Sequence, residues 1–117
     1  MKKWWWKFEP DKWLGDEALM SCSLAAQGLW IKMLCRMSKS ARIGYLTVGG
    51  KKPTNEQLSN MLGHSFAELE PLLTELQEAG VFSVSDDQII FSRKMVRDHA
   101  KSIRCSDAGK KGGNPTL

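Results

Sequence analysis

From Leu24 to Ser38 the apolar residues Ala26, Trp30, Met33 and Met37 recur at the i, i+4, i+7, i+11 spacing of one helical face. Leu24, Ile31 and Leu34 widen that stripe, and Ser23 stands where a side-chain oxygen would cap the first turn. The pattern predicts a core helix over 24–38, with Lys32, Arg36 and Lys39 on its remaining, solvated face. A second stripe, Leu58, Met61 and Leu62, follows Thr54-Asn55-Glu56-Gln57, a capping box in which Thr54 and Gln57 satisfy each other's backbone N–H groups. Gly63 supplies the left-handed residue that ends helices. Only His64 separates it from another capping box, Ser65 with Glu68, which opens a helix with Phe66, Leu69, Leu73 and Leu76 on one side and Gly80 at its end. Pro71 is too deep for the first turn, so a kink or a displaced start is expected there.

After Gly80 the period shortens. Val81–Val84 and Ile89–Ser92 flank the polar run Ser85-Asp86-Asp87-Gln88 and predict a β-hairpin. From Arg93 the helical period returns, with Arg93, Arg97, Lys101 and Arg104 on one face and Val96, Ala100 and Ile103 on another. Short helix, tight turn, helix and hairpin together predict a winged helix-turn-helix: an α+β domain, mainly α, with a short β-hairpin wing and a C-terminal basic helix. Trp30, Leu34, Leu58, Leu62, Leu69, Leu73 and Leu76 are expected to share its core.

The flanks are less regular. Residues 1–22 begin with Lys interleaved with Trp4, Trp5, Trp6, Phe8 and Trp13. Indoles beside lysines serve as stacking platforms for nucleic acid or as interfacial anchors on a membrane, but an extended segment whose alternate Trp side chains pack on the domain is the simplest reading. Glu9-Pro10-Asp11 breaks any strand, and Asp16 is placed to cap a short helical turn through Met20. Gly44–Val48 is β-prone, and Gly49-Gly50-Lys51-Lys52-Pro53 reads as a flexible basic loop. The domain is expected to occupy 1–105, leaving 106–117 as a flexible, basic, Gly-rich tail or linker.

At 117 residues and 42% hydrophobic content the chain suffices for one domain with a single core. No apolar run is long enough to span a bilayer and no signal-peptide pattern opens the chain, so a cytoplasmic protein without membrane contact is expected. Cys22, Cys35 and Cys105 lack ligand spacing; they are expected to be reduced thiols, Cys22 and Cys35 as small core hydrophobes. Charge changes the picture more. The overall +4 divides into +6 over residues 1–52, −7 over 53–91, where Lys and Arg are absent, and +5 over 92–117. Two basic arms flank an acidic middle.

Catalysis has no visible machinery: there is no phosphate-binding Gly loop, nucleophile elbow or His-containing metal motif. His64 is expected in a turn, with a capping or packing role, and His99 at the surface or at the edge of the core. The chain is therefore read as a non-enzyme with no cofactor and no metal.

The strings Pro10-Asp11-Lys12-Trp13-Leu14, Ala25-Ala26-Gln27-Gly28-Leu29-Trp30, Gly44-Tyr45-Leu46, Gln57-Leu58-Ser59-Asn60-Met61-Leu62-Gly63, Leu76-Gln77-Glu78-Ala79-Gly80-Val81-Phe82-Ser83 and Arg93-Lys94-Met95-Val96-Arg97-Asp98 resemble, in this order, the N-terminal domain of phage and prophage replication proteins. The resemblance, to replisome organisers and replication initiators, implies a winged helix, a basic linker like Ala108–Gly113, and a C-terminal part that engages helicase-loading machinery. It also exposes a conflict. A reading helix should offer Arg, Lys, Asn or Gln to base edges, whereas residues 65–79 offer Glu68, Glu70, Glu75 and Glu78 with Gln77 alone as an amide, and the wing tip adds Asp86 and Asp87. Two functions follow. The preferred one is a DNA-binding accessory domain of a phage-type replication initiator, contacting phosphates through Arg93, Lys94, Arg97, Lys101, Arg104, Lys51 and Lys52. The alternative is a replisome protein-interaction module whose Glu70, Glu75 and Glu78 and wing dock a basic surface on a helicase loader, another replisome protein or another protomer.

Overall fold

Six helices and one short antiparallel sheet make an α+β, mainly helical fold in the computed structural model, which describes residues 4–112, with side chains to residue 105. The elements are α1 (Pro10–Leu14), α2 (Glu17–Met20), α3 (Leu24–Ser38), α4 (Asn55–Leu62), α5 (Phe66–Glu78), β1 (Ser83–Val84), β2 (Ile90–Phe91) and α6 (Arg93–Gly112). Packing centres on α3, whose Ala26, Leu29, Trp30, Met33, Leu34 and Met37 are all buried. Against it lie Leu58 and Leu62 of α4 and Leu69 and Leu76 of α5. Of the expected core, Leu73 alone is only partly buried. It lies one turn before Leu76, toward the edge of the stripe.

The local signals act as read. Ser23 Oγ accepts from Ala26 N–H at 3.1 Å, both capping boxes close, and Asp16 Oδ1 accepts from Leu19 N–H at 3.1 Å. Gly63 ends α4 at φ +77°, a left-handed conformation that costs a residue with a Cβ. Pro71 lies inside α5, yet the helix starts at its Ser65 cap without displacement. Pro71 and Ala67 are both exposed, so the carbonyl that Pro71 cannot serve lies on the solvent side of the helix. Pro10 does more than interrupt a strand: its fixed φ suits the first turn of α1, a helix that periodicity did not reveal.

The sheet is smaller than the flanking apolar runs. Only Ser83↔Phe91 and Val84↔Ile90 pair, while Phe82 and Ile89 turn into the core. The Gly44–Val48 segment adds a partial third strand: Tyr45 bridges Phe91, and Leu46 N–H donates to Ile90 O at 2.8 Å. Gly44 makes that approach possible. It has φ +90°, and a Cβ there would lie 2.6 Å from Val96 Cγ2. The expected flexible loop at Gly49-Gly50 is instead a closed turn, with Val48 and Lys51 exchanging backbone hydrogen bonds at 2.9 and 3.1 Å and both glycines at positive φ, as a type I′ turn requires.

The N-terminal segment is extended but unpaired, with Trp4 and Trp6 half-buried on the core and Trp5 81% exposed, so the alternation holds without a strand. Cys22 is buried and Cys35 exposed, which corrects the expectation of two core thiols. Position 35 lies between the buried stripes of α3 rather than on them. Burial, and secondarily the Glu75 carboxylate, pushes the Cys22 thiol up. The boundary at residue 106 falls within α6, because the helix continues to Gly112; residues 113–117 of the expected tail lie outside the described residues.

Candidate nucleic-acid interface

Helix α6 is anchored at its start. Ser92, itself buried, accepts from Met95 N–H at 3.1 Å through its hydroxyl, and Met95 is 2% exposed in the core. His99 meets the Trp4 ring edge-on at 5.2 Å. From Lys101 to Cys105 every residue is exposed, Ile103 at 49%. The helix thus leaves the body after Ala100, and the Val96, Ala100, Ile103 face is only half used for packing.

This divides the five basic candidates on α6. Arg93 donates to Gly80 O and to Ser83 Oγ, each at 2.7 Å, so it ties the end of α5 to the hairpin. Lys94 Nζ lies 2.7 Å from Glu9 Oε1 and 2.6 Å from Asp98 Oδ2. Burial pulls the Lys94 ammonium's pKa down, but its hydrogen bonds to Asp98 and Glu9 outweigh that and raise it; the Glu9 carboxyl is lowered, mainly by the hydrogen bond from Lys94. Both cations are occupied by the fold itself. Arg97, Lys101 and Arg104, by contrast, are exposed and make no hydrogen bond or ion pair among the described residues. Their i, i+4, i+7 spacing aligns them over about 10 Å of one helix face. Lys51 and Lys52 are exposed as well, but on the separate turn before α4.

The acidic candidates divide in the same way. Glu75 accepts from the Ser23 backbone N–H and, at 2.8 Å, from the Ser23 hydroxyl, so it caps the N-terminus of α3 across the interface between α3 and α5. Its negative charge meets the positive end of that helix. Glu70 and Glu78 remain exposed. At the hairpin tip Asp87 pairs with Arg42 at 3.1 Å, and its carboxyl is lowered by hydrogen bonds from the Ser85 hydroxyl and then from Arg42. Arg42 also lies 3.8 Å over the Tyr45 ring. The acidic middle is therefore partly neutralised from within.

Two cations expected to be merely solvated have structural work. Lys32 Nζ donates to Leu62 O at 3.0 Å and Arg36 Nε to Met61 O at 2.9 Å, satisfying carbonyls left open at the end of α4. Sequence reasoning also passed over Lys7 and Lys12, which the structure gathers with Arg97 around a cleft of about 340 Å³ walled by Trp6, Phe8 and Trp13. The Lys–Trp interleaving of the first thirteen residues was the available signal.

Glu75→Ala is expected to lower the unfolding free energy by about 1–2 kcal/mol, because two hydrogen bonds to a charged acceptor are lost. Glu78→Ala should stay within about 0.5 kcal/mol, as for exposed positions generally. Urea unfolding of the two variants checks this, and equal midpoints would remove the α3–α5 clasp.

Among the described residues no three His, Cys, Asp or Glu side chains gather to hold a metal ion, and no helix is long and apolar enough to cross a membrane. Neither the curated proteins nor the solved structures contain a match to the chain. A family model does match: the N-terminal phage replisome organiser domain, over residues 20–110, from α2 into the last turns of α6. That span contains the α3–α5 core, the hairpin and the Arg97, Lys101, Arg104 face, and the chain belongs to the N-terminal phage replisome organiser family.

Proposed function

We propose that this chain is a winged-helix DNA-binding module of a phage replication protein, holding backbone phosphates with Arg97, Lys101 and Arg104. One observation carries the reading: these three cations are aligned and exposed on a helix that projects from the body and have no partner among the described residues, whereas Arg93 and Lys94 are engaged internally. Such a stripe suits phosphates at several positions along a strand and reads no base sequence. The winged-helix assignment is supported by the order α3, α4, α5 and hairpin, by the Gly63 turn, and by the bridge from Tyr45 to the hairpin. Helix α5 would occupy the position of the usual reading helix, but its exposed Glu70 and Glu78 would repel phosphates, so contact is assigned to α6 instead.

The alternative of a protein-docking face loses one of its three carboxylates, since Glu75 is held by Ser23. The DNA reading is favoured for that reason. A fluorescent duplex titrated with the wild-type chain across a salt series tests it. Three phosphate contacts would give log K against log salt a slope of about −2.7, little affected by the duplex sequence. Undetectable binding at low salt, or affinity independent of salt, would overturn the proposal.

A further inference from the structure

The cleft beside the basic stripe has a composition that phosphate binding alone does not require. One wall is aromatic. The Phe8 ring lies between two indoles, with centroids 5.9 Å from Trp6 and 5.6 Å from Trp13, and Phe8 is 43% exposed. A single exposed Phe is ordinary on a protein surface. Here, however, the ring lines a cleft of about 340 Å³ whose rim carries Lys7, Lys12 and Arg97. The carboxylates around it are already committed: Glu9 and Asp98 to Lys94, and Asp16 to the N–H of Leu19. The lining sets Lys7, Lys12, Arg93, Lys94 and Arg97 against Glu9, Asp16 and Asp98, so the cleft keeps a net positive charge beside accessible aromatic surface, and Arg97 belongs both to it and to the α6 stripe.

Aromatic surface flanked by cations fits a planar ring attached to phosphates. In a duplex each base face is covered by its neighbours, so a protein ring reaches it without the cost of unstacking only when the base is unpaired. The cleft volume is in the range of small-molecule sites and matches one inserted group rather than a double helix. We infer that this cleft binds an unpaired nucleotide of single-stranded DNA, its base stacked on the exposed Phe8 ring and its flanking phosphates on Lys7, Lys12 and Arg97, continuous with the α6 stripe. The inference rests on the DNA-binding reading and adds to it a ligand class and a site.

The test uses the full chain, a fluorescent oligo(dT) and oligo(rU) of about 15 nucleotides, and a duplex of equal length. Phe8→Leu keeps an apolar side chain but removes the stacking face. It should weaken oligo(dT) binding about tenfold and leave duplex affinity within about twofold, since one stacked base contributes roughly 1–3 kcal/mol. Phe8→Trp restores a stacking face and should restore binding, which separates stacking from loss of folding; thermal unfolding of both variants completes that control. Unchanged oligo(dT) affinity in Phe8→Leu, or an equal loss with duplex, would overturn the cleft assignment. Tighter binding of oligo(rU) than oligo(dT) would overturn DNA as its ligand. A wild-type chain that binds duplex but not oligo(dT) would remove this inference alone, whereas one that binds neither would remove the DNA-binding reading with it.

Discussion

Leu76→Ala is expected to destabilise the domain by about 2–5 kcal/mol, the range for removing a large side chain from a packed core. Leu76 is fully buried on α5, with Leu69 one side of it and the α3 stripe opposite. Truncation there loses the transfer free energy of three carbons and leaves a cavity that helices held by two capping boxes cannot easily close. A domain of this size has about 5–15 kcal/mol in total, so the variant should lose a large fraction of its stability and unfold at a clearly lower denaturant concentration. Leu73→Ala provides the comparison. Its side chain is only partly buried, so solvent already occupies part of its surroundings and the loss should be about half as large. Chemical unfolding of the pair decides the matter: a Leu73 variant as unstable as the Leu76 variant would place the α5 packing face one turn nearer its N-terminus than the structure does.

Reversing the α6 stripe should have the largest effect on binding. The variant Arg97→Glu/Lys101→Glu/Arg104→Glu replaces attraction with repulsion at three aligned positions, and even in high dielectric each reversal changes the phosphate interaction by about 1 kcal/mol after screening. Affinity for duplex in low salt should fall at least about a hundredfold, and the salt slope should shrink by about 2.7. Stability should barely change, because none of the three side chains makes a hydrogen bond or ion pair among the described residues. The matched control is Lys94→Gln. It breaks the tie between Glu9 and Asp98, so it should loosen the N-terminal segment while leaving the salt slope intact. If Lys94→Gln weakened duplex binding as much as the triple reversal, the division between engaged and uncommitted cations would be wrong.

That division could not be read from spacing. Arg93, Lys94, Arg97, Lys101 and Arg104 look equivalent along the chain, and so do Glu70, Glu75 and Glu78. Their roles part because partners arrive from far away in sequence: Glu9 reaches Lys94 across 85 positions, and Ser23 reaches Glu75 across 52. The same holds for Lys32 and Arg36, which serve the end of α4 rather than solvent.

What the chain determines by itself is its local grammar. Thr54 with Gln57, Ser65 with Glu68, Ser23, Asp16 and Gly63 all act within four residues of their own position, so hydrogen-bond geometry follows from residue type and spacing alone. The i, i+3, i+4 stripes likewise name the buried face of each helix before any partner is known. Tertiary structure decides which edge of a stripe is covered, how Gly44 admits Val96, how little of the apolar hairpin pairs, and which cations stay uncommitted. It also brings the Phe8 wall and Arg97 to one cleft. Those outcomes depend on contacts between distant segments, where packing of the whole chain, rather than any nearest-neighbour preference, sets the lower free energy.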